Sequence, residues 1–204
     1  MAILKSTLAA LATATMLTVA ASAASSPTTS APSNSPDVYR VNYFLNLTNG
    51  ATNSTLDATI TILDPGSNGS ANLCADIYVL NPSEELEECC TCPLTPDEMI
   101  TGSVTTYLTH NPLNGYSFGL SNGVIKIIAD AACNPGKPTP TEGLVSWLTR
   151  VDRAGSVTGV TTTEFEEATL STAERTSLAT RCNNFQYASG YGICSCPPEP
   201  PNHY

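Results

Sequence analysis

The stretch "LCADIYVLNPSEELEECCTCP", residues 73 to 93, sets an apolar run beside an acidic turn and then three cysteines within four positions. Its first eight residues, Leu73 to Leu80, read as a strand, bounded by the Asn81-Pro82-Ser83 turn signal. The cysteines that follow read as a loop after that strand, and their partners decide how the chain is held together. A matching "CSCP" closes the body at residues 194 to 197.

Working outward, the same pattern of short β-rich runs recurs. "VYRVNYFLNL" (38–47), "LDATITIL" (56–63), "GSVTTYLTH" (102–110), "GVIKIIADAA" (123–132), "LVSWLTRV" (144–151) and "VTGVTTTEF" (157–165) are separated by Asn, Gly and Pro. Together with 73–80 they predict a mainly β fold, a β-sandwich of about seven strands. Trp147 lies between Cys133 and Cys182, but this does not amount to the immunoglobulin pattern of a tryptophan between bridged cysteines.

Two helical pieces interrupt the strands. In "TPDEM" Thr95 can cap, Pro96 suits a first helical position and Glu98 completes a capping box, leaving room for a turn or so. "STAERTSLATRCNNF" is a full helix. Ser171 and Glu174 make its capping box, and Leu178, Cys182 and Phe185 form one stripe that should pack on the sheet.

The ends indicate the compartment. Residues 1–23 carry one positive charge, Lys5, a mildly apolar stretch and the small triplet Ala21-Ser22-Ala23, as a cleaved secretory signal peptide does. Residues 24–36 form a flexible Ser/Thr/Pro leader, 37–196 a single domain, and 197–204 a Pro-rich tail. No later segment approaches the roughly 20 apolar residues of a membrane-spanning helix. The mature chain is therefore expected to be exported without membrane insertion, to the periplasm, the cell surface or the medium.

The formal charge of −10 (8 basic, 18 acidic residues) becomes −11 once Lys5 leaves with the signal. Such a field repels nucleic acid and anionic lipid, and only Lys126 and Lys137 remain as lysines to build a basic patch. Three glycosylation sequons begin at Asn46, Asn53 and Asn68.

All eight cysteines, Cys74, Cys89, Cys90, Cys92, Cys133, Cys182, Cys194 and Cys196, are disulfide candidates, because an exported chain meets oxidising conditions. Neighbours such as Cys89 and Cys90 resist bonding to each other and should seek distant partners, among them the C-terminal pair. Such bridges would close loops of roughly a hundred residues, worth on the order of 4–5 kcal/mol each. The alternative makes Cys89, Cys92, Cys194 and Cys196 a four-sulfur metal site, although structural zinc pairs are usually separated by about two to four residues. Thiol-redox chemistry at Cys89 to Cys92 is disfavoured by Glu84, Glu85, Glu87 and Glu88, which raise thiol pKa values.

Other chemistry is sparse. His110 and His203 are the only histidines, and Glu164, Glu166 and Glu167 read as a solvated run before the helix rather than as paired catalytic carboxylates. No catalytic residue and no cofactor is assigned. The strings "NLCADIYVLNPSEELEECCTCPLTPDEM", "TEFEEATLSTAERTSLATRC" and "GYGICSCP" resemble a family of uncharacterised secreted, Cys-rich proteins of environmental Gram-negative bacteria, over roughly residues 70–100 and 155–197. That resemblance implies a bacterial exported origin and no reaction. The expectation is an exported structural, adhesive or binding module whose partner is a protein or carbohydrate at the cell surface; the alternative is a metal-binding or thiol-redox protein.

Overall fold

Alternating apolar residues build two antiparallel sheets that face each other. The computed structural model describes residues 38–49, 54–67, 69, 71–113, 115–154, 157–187 and 193–198. The expected signal peptide and leader therefore lie outside the described residues, as do the sequon asparagines Asn53 and Asn68. The strands are β1 (Val38–Leu45), β2 (Leu47–Asn49), β3 (Ser54–Leu56), β4 (Thr59–Leu63), β5 (Leu73–Leu80), β6 (Leu86–Leu94), β7 (Met99–Ser103), β8 (Asn122–Asp130), β9 (Val145–Ala154), β10 (Val157–Glu164) and β11 (Glu166–Thr169), followed by the helix α1 (Thr172–Tyr187). Five form one sheet in the order β11-β1-β8-β5-β6, four form the other in the order β10-β9-β4-β7, and β2 and β3 make a small hairpin.

Strand period fixes which residues meet between the sheets. Ala75, Ile77 and Val79 of β5, Ile125 and Ile127 of β8, Ile60 and Ile62 of β4 and Leu148 of β9 enter one buried core. The opposite face of the larger sheet is also covered, so β5 is buried along its whole length. There Tyr78, Leu80 and Ile128 meet Leu178 and Cys182 of α1, with Phe185 partly buried beside them. The stripe read from the sequence is thus the packed face of the helix. Ser171 Oγ accepts from the Glu174 N–H at 3.1 Å, but the Glu174 carboxylate turns to Lys126 instead of closing a capping box.

Several expectations are corrected. The cysteine-rich segment is strand β6, paired with β5 from Leu73↔Leu94 to Leu80↔Leu86, and not a loop. Its only β-branched residue is Thr91, but burial on both faces and three disulfide attachments favour the extended backbone. "GSVTTYLTH" is not one strand: β7 ends at Ser103, and Val104–Leu108 makes a wide helical turn closed by Thr109 N–H donating to Val104 O at 3.0 Å. Asp57 holds that turn, accepting from the Thr105 N–H and hydroxyl and from the Ser103 hydroxyl. At "TPDEM" no helix forms. Thr95 N–H and hydroxyl donate to Glu98 at 2.6 and 2.9 Å, Asp97 takes a φ of 67°, and β7 begins at Met99. Glu166 and Glu167, read as a run leading into the helix, form part of β11, where Glu167 pairs with Arg40 at 2.8 Å.

Asn46, the first sequon asparagine, is 5% exposed. Its amide donates to Thr105 Oγ1 and accepts from the Ala58 N–H, so it ties two segments together and presents nothing to solvent.

The C-terminal segment closes one seam of the sandwich. Residue 193 bridges in parallel to Cys89 of the edge strand β6, and Ser195 N–H donates to Tyr107 O at 2.8 Å. Pro198 O then accepts from the Thr101 N–H of β7, the edge strand of the smaller sheet. Pro197, where the Pro-rich tail was expected to begin, is buried. Edges of both sheets are covered by a single run of chain, which removes two pairing templates at once.

Candidate functional site

The cysteine cluster was the place to look for chemistry, and its geometry follows from strand alternation. Cys90 and Cys92 point into the inter-sheet core, whereas Cys89 points to the helix-covered face. Cys89 bonds to Cys182 of α1, Cys90 to Cys194 and Cys92 to Cys196, while Cys74 of β5 bonds to Cys133. No cysteine is free. The four sulfurs of the metal alternative, Cys89, Cys92, Cys194 and Cys196, are divided among three bridges on two faces of a sheet and do not converge. Trp147 lies on β9, and neither Cys133 nor Cys182 forms the pair an immunoglobulin pattern requires.

Two bridges form a ladder. Cys90-Thr91-Cys92 runs beside Cys194-Ser195-Cys196, each bridge spanning 104 positions of sequence. The one-residue spacing that fits a zinc site poorly suits this arrangement, because positions i and i+2 of a strand lie on the same face.

Sequence reasoning missed two buried carboxylates. Asp76 of β5 is fully buried; its Oδ1 accepts from Thr91 Oγ1 at 2.5 Å, and its Oδ2 meets no donor among the described residues. Burial pushes its pKa up to about 8, the Thr91 hydrogen bond opposes this, and the charge of nearby Asp130 adds to the rise. Glu88 of β6 is also fully buried, with no partner for either carboxylate oxygen among the described residues, and burial with the neighbouring Glu87 charge pushes it up to about 8. The signal for Asp76 was present: an acidic residue inside an eight-residue strand otherwise buried and mostly apolar.

Asp130, by contrast, organises a loop. Its carboxylate accepts from the N–H groups of Ala132, Asn134 and Thr139 at 2.6–2.9 Å, folding residues 131–140 over the end of β8. The Cys74–Cys133 bridge and a hydrogen bond from Tyr78 Oη to Pro135 O at 2.8 Å pin the same loop. Burial raises the Tyr78 pKa further above its ordinary value, so the phenol stays a donor.

No three His, Cys, Asp or Glu side chains among the described residues are grouped to hold a metal ion. His110 lies in a bridge to Ser117 at the end of the helical-turn segment. Glu164 sits on β10 and Glu166 and Glu167 on β11. Among the described residues no helix is long and apolar enough to cross a membrane.

No protein-family model matches the chain, and no curated protein does. A solved structure described as "Crystal Structure of Thermotoga maritima 1070" is similar with a TM-score of 0.39 and 13% identity, over 66% of this chain and 94% of that one. A likeness at that level carries no argument about function.

Proposed function

We propose that this chain is an exported, non-catalytic module that acts structurally, in adhesion or in binding, with a protein or carbohydrate partner at the cell surface. The observation that carries the reading is the use of its cysteines. All eight are committed to four bridges, three joining β6 to the helix and to the C-terminal segment and one joining β5 to the loop after β8, so the richest cluster of reactive groups serves as a staple. Disulfides in this number belong to an oxidising environment, which agrees with the leader read as a signal peptide. The resemblance to secreted Cys-rich bacterial proteins supports the same setting.

Intact mass of the exported protein tests this. The expected mass is that of the chain from Ala24 less eight hydrogens, two for each bridge, with no alkylation before or after denaturation. Alkylated cysteines, or mass lost on denaturation as a metal departs, would instead make Cys89 to Cys92 a working site and overturn the reading.

A further inference from the structure

Three basic side chains here are already neutralised. Among the described residues Arg40 pairs with Glu167, Lys126 with Glu174 and Arg150 with Asp152. Lys137, Arg175 and Arg181, which meet no carboxylate among the described residues, all lie on one surface, the outward side of α1 and the loop beside it, where Arg181 Nη1 donates to the backbone carbonyl of Glu84 at 3.0 Å. In a chain of net charge −10, chance placement would put carboxylates among them. Among the described residues none lines this surface.

The surface consists of two adjoining grooves. One, of about 590 Å³, lies between α1 and residues 136–140 and carries Lys137, Thr139 and Arg175. The other, of about 670 Å³, lies along α1 and carries Thr172, Ser177 and Arg181. Thr176 and Thr180 belong to both, so the grooves are continuous. Thr172, Thr176 and Thr180 recur every four residues and therefore form an exposed hydroxyl stripe along one line of the helix. Arg175 and Arg181 flank it, separated along the axis by about 9 Å at the helical rise of ~1.5 Å per residue.

The wall that carries Lys137 is built rigidly. Beyond the Asp130 carboxylate, the Cys74–Cys133 bridge and the Tyr78 hydrogen bond, Asn183 Nδ2 of α1 donates to Gly136 O at 2.8 Å. A Cβ at residue 136 would stand 1.8 Å from Asn183 Oδ1, so glycine lets the loop sit directly against the helix. Such bracing fixes the groove before a ligand arrives, which reduces the ordering cost of binding.

We propose that this surface binds a linear acidic polysaccharide, a uronate-bearing glycan whose carboxylates meet Arg175, Arg181 and Lys137 and whose hydroxyls meet the threonine stripe. The inference rests on the module reading above and gives that module its ligand class. Guanidinium groups match carboxylates in geometry and charge. A nucleic acid fits less well. Its phosphates are denser than three cations can neutralise against a net acidic field, and among the described residues no aromatic side chain lines the grooves for a base to stack on.

The test is affinity electrophoresis of the mature, oxidised protein through gels containing polygalacturonate, its fully methyl-esterified form, or single-stranded DNA. The acid polymer should retard the protein, the ester and the DNA should not, and added salt should weaken the retardation. Arg175→Ala with Arg181→Ala should weaken apparent affinity at least tenfold, and Lys137→Ala should weaken it less, each with an unchanged Tm. No retardation, equal retardation by acid and ester, tighter binding to DNA, or variants that bind like the parent would each overturn the proposal. Intact mass of the same sample separates the two readings: failure with four intact bridges removes this surface and leaves the module, whereas free thiols remove the module itself.

Discussion

Replacing Cys194 and Cys196 together by serine lowers the Tm of the oxidised protein by about 10–20 °C, measured by calorimetry without reductant. The bridges Cys90–Cys194 and Cys92–Cys196 each close a loop spanning 104 positions, for which the chain-entropy relation gives ~4.7 kcal/mol for the first bridge. The second closes nearly the same loop and adds little entropy, so the pair contributes about 5 kcal/mol and not twice that. At ~2–4 °C per kcal/mol for a chain of this size, the expected shift follows. Releasing the segment also uncovers the edges of β6 and β7, and the variant should aggregate on heating where the parent does not. A Tm within about 3 °C of the parent would mean that the segment contributes nothing to stability, and would remove the staple from the account of the fold.

The same ladder shows what the sequence could and could not reveal. Runs with clean alternation or continuous apolar character, such as 56–63, 73–80 and 123–132, were legible because period and burial coincide there. β6 was not, since Leu86–Leu94 is written in Glu, Cys, Thr and Pro, and its extended form depends on partners 93 and 104 positions away. That the C-terminal cysteines return to the 89–92 cluster was readable from their matching spacing; which sulfur meets which required knowing that the segment is a strand. Residues 102–110 misled in the opposite way. Val, Thr and Tyr favour strands, but Asp57, 48 positions before Thr105, captures the Thr105 N–H and hydroxyl and winds Val104–Leu108 into a turn. Tertiary capture of this kind leaves no local trace.

The candidate binding surface was hidden for a similar reason. The chain reads as uniformly acidic, and a tally of lysines leaves Lys126 and Lys137. Only the fold separates them, sending Lys126 to Glu174 and leaving Lys137 beside Arg175 across a groove. Charge matters here as the residue left over after pairing, and pairing is a property of the sheet register. Lys126 points to the helix side because it is opposite Tyr78 on β5, whose side chain lies beneath α1.

Stability should rise as the solution is acidified from pH 8.5 to pH 5.5, with Tm increasing by at least about 5 °C, and Asp76→Asn with Glu88→Gln should flatten that dependence. Both carboxyls have pKa values pushed from the usual carboxylate range to about 8 in the folded protein. The folded state therefore holds protons that the unfolded chain releases near pH 4, and stability falls as pH climbs from there through about 8. Each group contributes a slope of up to about 1.4 kcal/mol per pH unit within that window. The opposing case, a carboxylate stabilised in its charged form, requires donors. Among the described residues Asp76 has Thr91 on one oxygen and no donor on the other, and Glu88 has none on either. At pH 8.5 the neutral amides should therefore be more stable than the parent, by about 1–3 kcal/mol for each buried charge relieved. A parent Tm that is level or falls towards pH 5.5 would show that both side chains reach solvent or a partner in solution. Protons bound at Asp76 and Glu88 thus act with the four bridges: the bridges limit the unfolded chain, and the neutral carboxyls let β5 and β6 remain buried between them.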